Sequence, residues 1–116
     1  MQAVLRINGL PSGALDAAAK FHQIWLPKVR ETLSGDADSL ALVLPPAPVD
    51  HRDWRRGVAR DLARELAPKR INLVAGDDAD AIAAVLGYLE HAPGVTGQLL
   101  PVDSHGAGIR ARRTDG

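Results

Sequence analysis

VTGQLLPVD, at positions 95–103, follows a helical run at positions 80–90, and this pair of segments limits the topology of the whole chain. The run at 80–90 has the apolar pattern of a helix that faces a core. Positions 95–103 have the composition of a strand, but Pro101 has no backbone N–H and cannot complete hydrogen bonds on both sides. The pair therefore predicts a helix followed by a strand at the edge of a sheet.

The composition is that of one folded domain. A chain of 116 residues with 46% hydrophobic residues can bury a single core. Its fourteen basic and fourteen acidic residues cancel, so net charge recruits neither nucleic acid nor an anionic membrane. The absence of cysteine excludes disulfides and thiolate chemistry, and Arg6, Asn8 and Asp16 interrupt any early apolar run. We expect a cytoplasmic protein with no nucleic-acid or membrane partner.

The first half of the chain predicts a strand, a helix and a second strand. Residues 2–8 form a short apolar run that ends at a turn. Apolar residues recur at three- and four-residue steps from 16 to 33, although Pro27 should remove a backbone hydrogen bond and kink the helix unless it ends there. Residues 39–44 are apolar throughout, which is typical of a strand buried on both faces.

The second half continues the alternation. We expect a helix over 51–67 with Asp50 as its cap, a strand over 70–75, and a helix that acidic residues at 77–80 cap and favour. Four strands alternating with helices over short linkers indicate an α/β fold with a parallel sheet and helical crossovers. Residues 104–116 have no apolar period and are predicted to be a flexible tail.

Several of these segments resemble the short-chain dehydrogenase/reductase (SDR) superfamily. AIAAVL at 81–86 with VTGQLLPVD at 95–103 is similar to its last helix and strand, and DLARELAPKRINLVA at 61–75 is similar to its long helix and the strand that follows. AVLRING at 3–9 resembles more weakly its Asn-Asn-Ala-Gly strand. The resemblance covers nearly the whole chain but only the C-terminal half of a family member. It implies a Rossmann-like three-layer half-domain over 1–103, with a short, mainly parallel four-strand sheet.

The residues on which the family's chemistry depends are not at the matching positions. The family binds its dinucleotide at a glycine-rich turn before a helix, whereas GAG at 106–108 follows the last predicted strand. Its catalytic Tyr-x-x-x-Lys falls near Pro48 and Arg52, and Pro45 stands in the region of its serine. The chain's one tyrosine, Tyr88, belongs to another helix. The resemblance thus implies a degenerate member, for which we expect no catalytic residues and no cofactor.

Other polar clusters carry less information. The four histidines share no spacing typical of metal ligands, and we expect no metal site. The acidic residues at 77–80 could attract a divalent ion, but helix capping accounts for them equally well. Four arginines of the third helix alternate with acids, which favours a solvated, salt-bridged face over a nucleic-acid surface: Arg55, Arg56, Arg60 and Arg64.

The functional hypothesis is a non-catalytic SDR-like protein that acts through oligomerisation or as an accessory subunit of a complete reductase. Residues 2–8 would pair with the family's first strand, so their outer edge is open to a partner. The two central helices resemble those through which family members dimerise. The expected interface residues are Phe21, Trp25, Trp54, Val58 and Leu62.

Two alternatives remain open. The chain could be the cofactor-poor half of a split NAD(P)-dependent oxidoreductase that a partner chain completes. It could instead be a free-standing ligand-binding module, which would need a pocket at the carboxyl ends of the strands, near Gly9, Pro45 and Gly76.

Overall fold

The computed structural model describes residues 1–102, which form a parallel sheet with helical crossovers. The strands are β1 (Gln2–Arg6), β2 (Ser39–Leu44), β3 (Arg70–Ala75) and β4 (Leu99–Pro101). All neighbours are parallel, and their order across the sheet is the order of the sequence. The predicted α/β class and the edge position of the proline-bearing strand are confirmed. The predicted tail at 104–116 lies outside the described residues.

The crossovers contain four α-helices and two shorter helical segments. A π-helical segment joins α1 to α2, and a 3₁₀ turn leads into α3. The bounds are α1 (Ala14–Lys20), π segment (Phe21–Trp25), α2 (Leu26–Leu33), 3₁₀ turn (Val49–His51), α3 (Arg52–Glu65) and α4 (Ala79–Glu90).

Pro27 interrupts the first crossover in a specific way. The π-helical segment ends just before it, so Pro27 lies in the first turn of α2. Pro27 has no N–H to donate, and it follows the point where π-helical geometry, in which the Leu26 N–H bonds to the Phe21 carbonyl, changes to α-helical geometry. The predicted interruption therefore takes the form of a change in helix type, and the helical path continues.

Two predicted caps differ in the structure. Asp50 was expected to cap α3, but the 3₁₀ turn brings the chain into helical geometry earlier, and His51 occupies the cap position. Asp78 does occupy the cap position of α4, but its side chain makes no capping hydrogen bond in the described residues. Asp80 contributes its charge to the first turn of α4, as predicted.

The core has one cluster on each face of the sheet. Successive strand residues point to opposite faces, so β2 is buried throughout, as its sequence predicts. Helices α1 to α3 cover one face, and α4 covers the other. The strand residues of the first cluster include Leu40, Leu42, Leu44, Ile71 and Leu73, and those of the second include Ala41, Val43 and Val74. The result is the three-layer, Rossmann-like arrangement.

The position of α4 has a topological consequence. All three crossovers step in the same direction along the sheet. The first two place their helices on one face and the third places α4 on the other, so the third crossover has the opposite hand. Because right-handed crossovers are the strong rule, the reversal marks the connection from β3 through α4 to β4. It gives a sheet of four strands a core on both faces.

Strand β1 forms the other edge of the sheet within the described residues. The Ile7 N–H donates to the Val43 carbonyl at 2.8 Å. Because backbone groups alternate in direction along a strand, Leu5 faces β2 in the same way, and the backbone groups of Val4 and Arg6 face outward. The Val4 side chain is 38% exposed. This edge is therefore polar in its backbone and apolar in part of its side-chain surface.

Candidate functional site

Two cavities lie at the carboxyl ends of the strands, on either side of the proline-rich segment 45–48 that follows β2. The larger has a volume of about 370 Å³ and reaches Ala75 at the end of β3 and Val102 beyond β4. The smaller has a volume of about 230 Å³ and reaches the loop after β1, at Leu10. A ligand-binding module would need a pocket in this region, and parallel sheets commonly bind ligands at this end.

Arg55 borders both cavities. Arg55 is 5% exposed, and its Nη1 donates to the Pro45 carbonyl at 2.9 Å. The guanidinium carbon lies 5.7 Å from the centroid of the Trp54 ring, within cation–π range. Burial lowers the pKa of the Arg55 guanidinium because desolvation disfavours its charged form. Arginine is nevertheless protonated at neutral pH, so a positive charge is held beneath the two cavities.

A second buried polar residue, His51, ties α3 to the loop after β1. The Trp54 Nε1–H lies 3.1 Å from His51 Nδ1, and His51 Nε2 lies 2.9 Å from the Ser12 carbonyl. An indole nitrogen can only donate, so Nδ1 accepts, and Nε2 carries the proton that it donates to Ser12. The two hydrogen bonds therefore define the orientation of the His51 ring between the two elements.

Asn72 fixes the far wall of the larger cavity by holding the segment before β4. Its Nδ2 donates to the Val95 carbonyl at 3.0 Å, and its Oδ1 accepts from the Gln98 N–H at 3.0 Å. Between these residues, Gly97 has a φ of +76° and donates its N–H to the Ile71 carbonyl at 2.7 Å. Glycine adopts this left-handed conformation without the steric cost of a Cβ. These contacts determine where β4 begins and where Val102 meets the cavity.

The resemblance puts the family's catalytic tyrosine and lysine near Pro48 and Arg52. Both residues border the larger cavity, and Arg52 is exposed. Tyr88 lies on α4, which covers the opposite face of the sheet, and it is 50% exposed. Within residues 1–102, no three His, Asp or Glu side chains are grouped as a metal site would require. The same part of the chain has no helix with the length and apolar character to cross a membrane.

The five residues predicted to form an interface divide into two groups. Phe21, Val58 and Leu62 are buried, because the π-helical segment and α3 turn these side chains toward the sheet. Trp25 and Trp54 pack against the same core but are only partly buried. The two tryptophans have surface that a partner could touch, whereas Phe21, Val58 and Leu62 lie inside the protomer and have almost none.

The comparison with known families agrees with this geometry. A family model described as SDR-like, short chain dehydrogenase-like protein, matches residues 5–102. The chain belongs to the SDR-like family. No curated protein and no solved structure matches it significantly. The matched residues run from β1 to the end of β4, so the SDR-like assignment applies to the sheet, to all four α-helices and to both cavities.

Sequence reasoning missed Arg55 as a site residue in this SDR-like chain. The alternating charges of α3 predict that Arg55 lies on a solvated face with Arg56, Arg60 and Arg64. Those three arginines are at the surface, but Arg55 is buried. A signal was present in the helix periodicity. Arg55 is spaced three and four residues from Val58 and Ala59 and seven from Leu62, so it falls on their buried stripe.

Proposed function

We propose that this SDR-like chain is a non-catalytic family member that acts by association with a second copy or with a complete reductase. The observation that carries the proposal is the outer edge of β1. Val4 and Arg6 direct their backbone groups away from β2, and these groups have no strand partner within residues 1–102. An open strand edge is a template for pairing with another chain, and soluble proteins normally protect such edges.

The sheet face beside this edge favours the same conclusion. Val4 and Arg6 point to the face that α4 covers, but both are exposed. The contact between β1 and α4 includes a hydrogen bond from Gln2 Nε2 to the Leu86 carbonyl at 3.1 Å. A partner strand beside β1 would satisfy the outward backbone groups and cover Val4. Two-fold symmetry would place the second β1 antiparallel to the first and make one continuous sheet.

The residues at the family's catalytic positions support a role without catalysis. A phenol exchanges a proton during hydride transfer, and a neighbouring ammonium tunes its pKa. Pro48 has no ionisable group, and Arg52 is a permanent cation. The pair that borders the larger cavity therefore cannot carry out proton exchange of the family's kind.

Sedimentation velocity of the full chain at low micromolar concentration tests the association. We expect a dimer or a larger assembly. Val4→Lys should shift it toward monomer, because a charge at a strand edge opposes pairing. The matched control is Leu15→Lys, which adds the same charge at a residue that is 88% exposed and lies outside the sheet. A monomer in the unmodified chain, mixed or not with a complete SDR-type reductase, would contradict the proposal.

The split-oxidoreductase alternative is favoured by the cavity at the strand ends, where a partner could add the cofactor-binding half. It makes a different prediction for the assembled state. A complex with a dinucleotide-binding partner would then oxidise or reduce NAD(P)(H) faster than that partner alone, and Arg55→Met in this chain would lower the gain. An inactive complex of unchanged cofactor affinity would favour the non-catalytic role.

A further inference from the structure

The charge on Arg55 is not balanced by a carboxylate in the described part of the chain. The ion pairs there join the N-terminus to Asp38, Arg30 to Glu65, and Arg64 to Asp61. Within residues 1–102, Arg55 has one hydrogen bond, to an uncharged carbonyl, and its buried Nε has no partner. A buried charge without a counter-charge is costly, so such groups in folded proteins are normally paired or bind a ligand.

The cavities next to Arg55 have the chemistry of an anion site with apolar walls. Among the described residues that line them none is acidic, and a second cation, Arg52, borders the larger one. Leu99, Pro101 and Val102 form an apolar wall on the β4 side. A volume of about 370 Å³ is within the range of small-molecule sites. An arginine also presents N–H groups in a planar fork that matches a carboxylate.

We propose that the larger cavity binds a small carboxylate with an apolar body, and that Arg55 is the residue that recognises its charge. The carboxylate group would lie against the guanidinium, and the apolar part would lie along the β4 wall. This site is separate from the β1 edge, so it adds ligand binding to the association proposed above without depending on it.

Hexanoate is a suitable probe, and hexanamide is its neutral counterpart of nearly the same shape. Titration of the full chain, followed by the amide signals of Ala75 and Val102 in NMR spectra, should show saturable binding of hexanoate. Hexanamide should bind at least tenfold more weakly, because it lacks the charge that Arg55 recognises. Equal affinities, or no saturable hexanoate binding in the millimolar range, would overturn the proposal.

Arg55→Met tests the residue itself. Methionine keeps much of the side-chain length and removes the charge, and replacement of buried ionic groups by apolar side chains is often tolerated. Hexanoate affinity should fall at least tenfold, to the level of hexanamide. Arg56→Met is the control, because Arg56 is exposed on the same helix and does not border either cavity. Equal loss in both variants would contradict recognition by Arg55, and the comparison of the two probes stands even if Arg55→Met does not fold.

The chain itself has a carboxylate near this cavity in the sequence, since Asp103 follows Val102. Asp103→Asn distinguishes binding of this carboxylate from binding of a free one. Tighter hexanoate binding in this variant would identify Asp103 as a competitor for the carboxylate site, whereas unchanged affinity would leave a free carboxylate as the occupant.

Discussion

Replacing Asn72 with leucine should destabilise the chain by removing the anchor of the segment before β4. Asn72 is 3% exposed, and both ends of its amide bind backbone groups, the Val95 carbonyl and the Gln98 N–H. Leucine has a similar size, so the change removes the hydrogen bonds without opening a large space. It also leaves two backbone groups without their partner.

The magnitude follows from those two bonds. Each net hydrogen bond contributes about 0.5–1.5 kcal/mol, and each buried group left unpaired costs about 1–3 kcal/mol. Water can reach Gln98, which is exposed, more easily than it reaches Val95, which is partly buried. We therefore expect a loss of about 2–4 kcal/mol in the free energy of unfolding. At about 3–6 °C per kcal/mol, a value between those of domains of 60–100 and of 150–250 residues, Tm should fall by roughly 6–24 °C.

Urea denaturation followed by circular dichroism measures this change, with Asn8→Leu as the control. Asn8 is an exposed asparagine in the loop after β1, so Asn8→Leu makes the same chemical change at the surface. Its effect should be within about 0.5 kcal/mol. A loss below about 1 kcal/mol for Asn72→Leu would refute the argument that this amide fixes β4. An equal loss in the control would refute it as well.

Three further predictions follow from the site and its surroundings. The isolated chain should bind neither NADH nor NADPH in a calorimetric titration, because no Gly-x-x-x-Gly-x-Gly run precedes a helix in residues 1–102; saturable micromolar binding would favour the enzyme hypothesis. Gly76→Ala should lower the free energy of unfolding by about 1–3 kcal/mol in urea denaturation, because the added Cβ would lie 2.4 Å from Val102 Cγ2; an unchanged midpoint would show that the Val102 side chain moves aside at no cost. Hydrogen bonding to Arg30 lowers the pKa of Glu65. At any pH above the ordinary glutamate pKa, Glu65→Gln should therefore cause a small loss of stability, and this loss should vanish as the pH falls through the lowered pKa. A stability difference that persists in acid would exclude the ion pair as its cause.

The sequence predicts the order and type of the elements well because each has a local signal. Pro101 excludes β4 from the middle of a sheet, and the unbroken apolar run in β2 requires burial on both faces. The face that α4 occupies has no such signal, since a helix with one apolar stripe can cover either face. The opposite hand of the last crossover therefore appears only when the packing of α4 is known.

The candidate site was harder to predict than the fold. Its location follows from topology, because the carboxyl ends of parallel strands meet at one edge. Its chemistry does not, because Arg55 stands in a sequence where charges alternate, and alternation normally indicates a solvated face. His51 and Asn72 depend on partners distant in sequence, the Ser12 carbonyl and the segment that begins at Val95. Such long-range hydrogen bonds leave no local pattern.

The amides of β1 test the central claim most directly, because neighbouring residues provide an internal control. The Leu5 and Ile7 amides face β2 within the same chain, whereas those of Val4 and Arg6 face the outer edge. Hydrogen exchange should be measured by NMR at a concentration where the chain is associated, and again after dilution to monomer or in Val4→Lys. The alternation of directions makes the readout specific to edge pairing.

If the chain associates through β1, the Val4 and Arg6 amides exchange as slowly as those of Leu5 and Ile7 in the assembly. They become fast in the monomer, while Leu5 and Ile7 stay slow. Fast exchange of Val4 and Arg6 in a fully assembled sample would contradict the account, because the contact would then lie elsewhere. Slow exchange of all four in a monodisperse monomer would also contradict it, because the edge would then be protected from within the same chain.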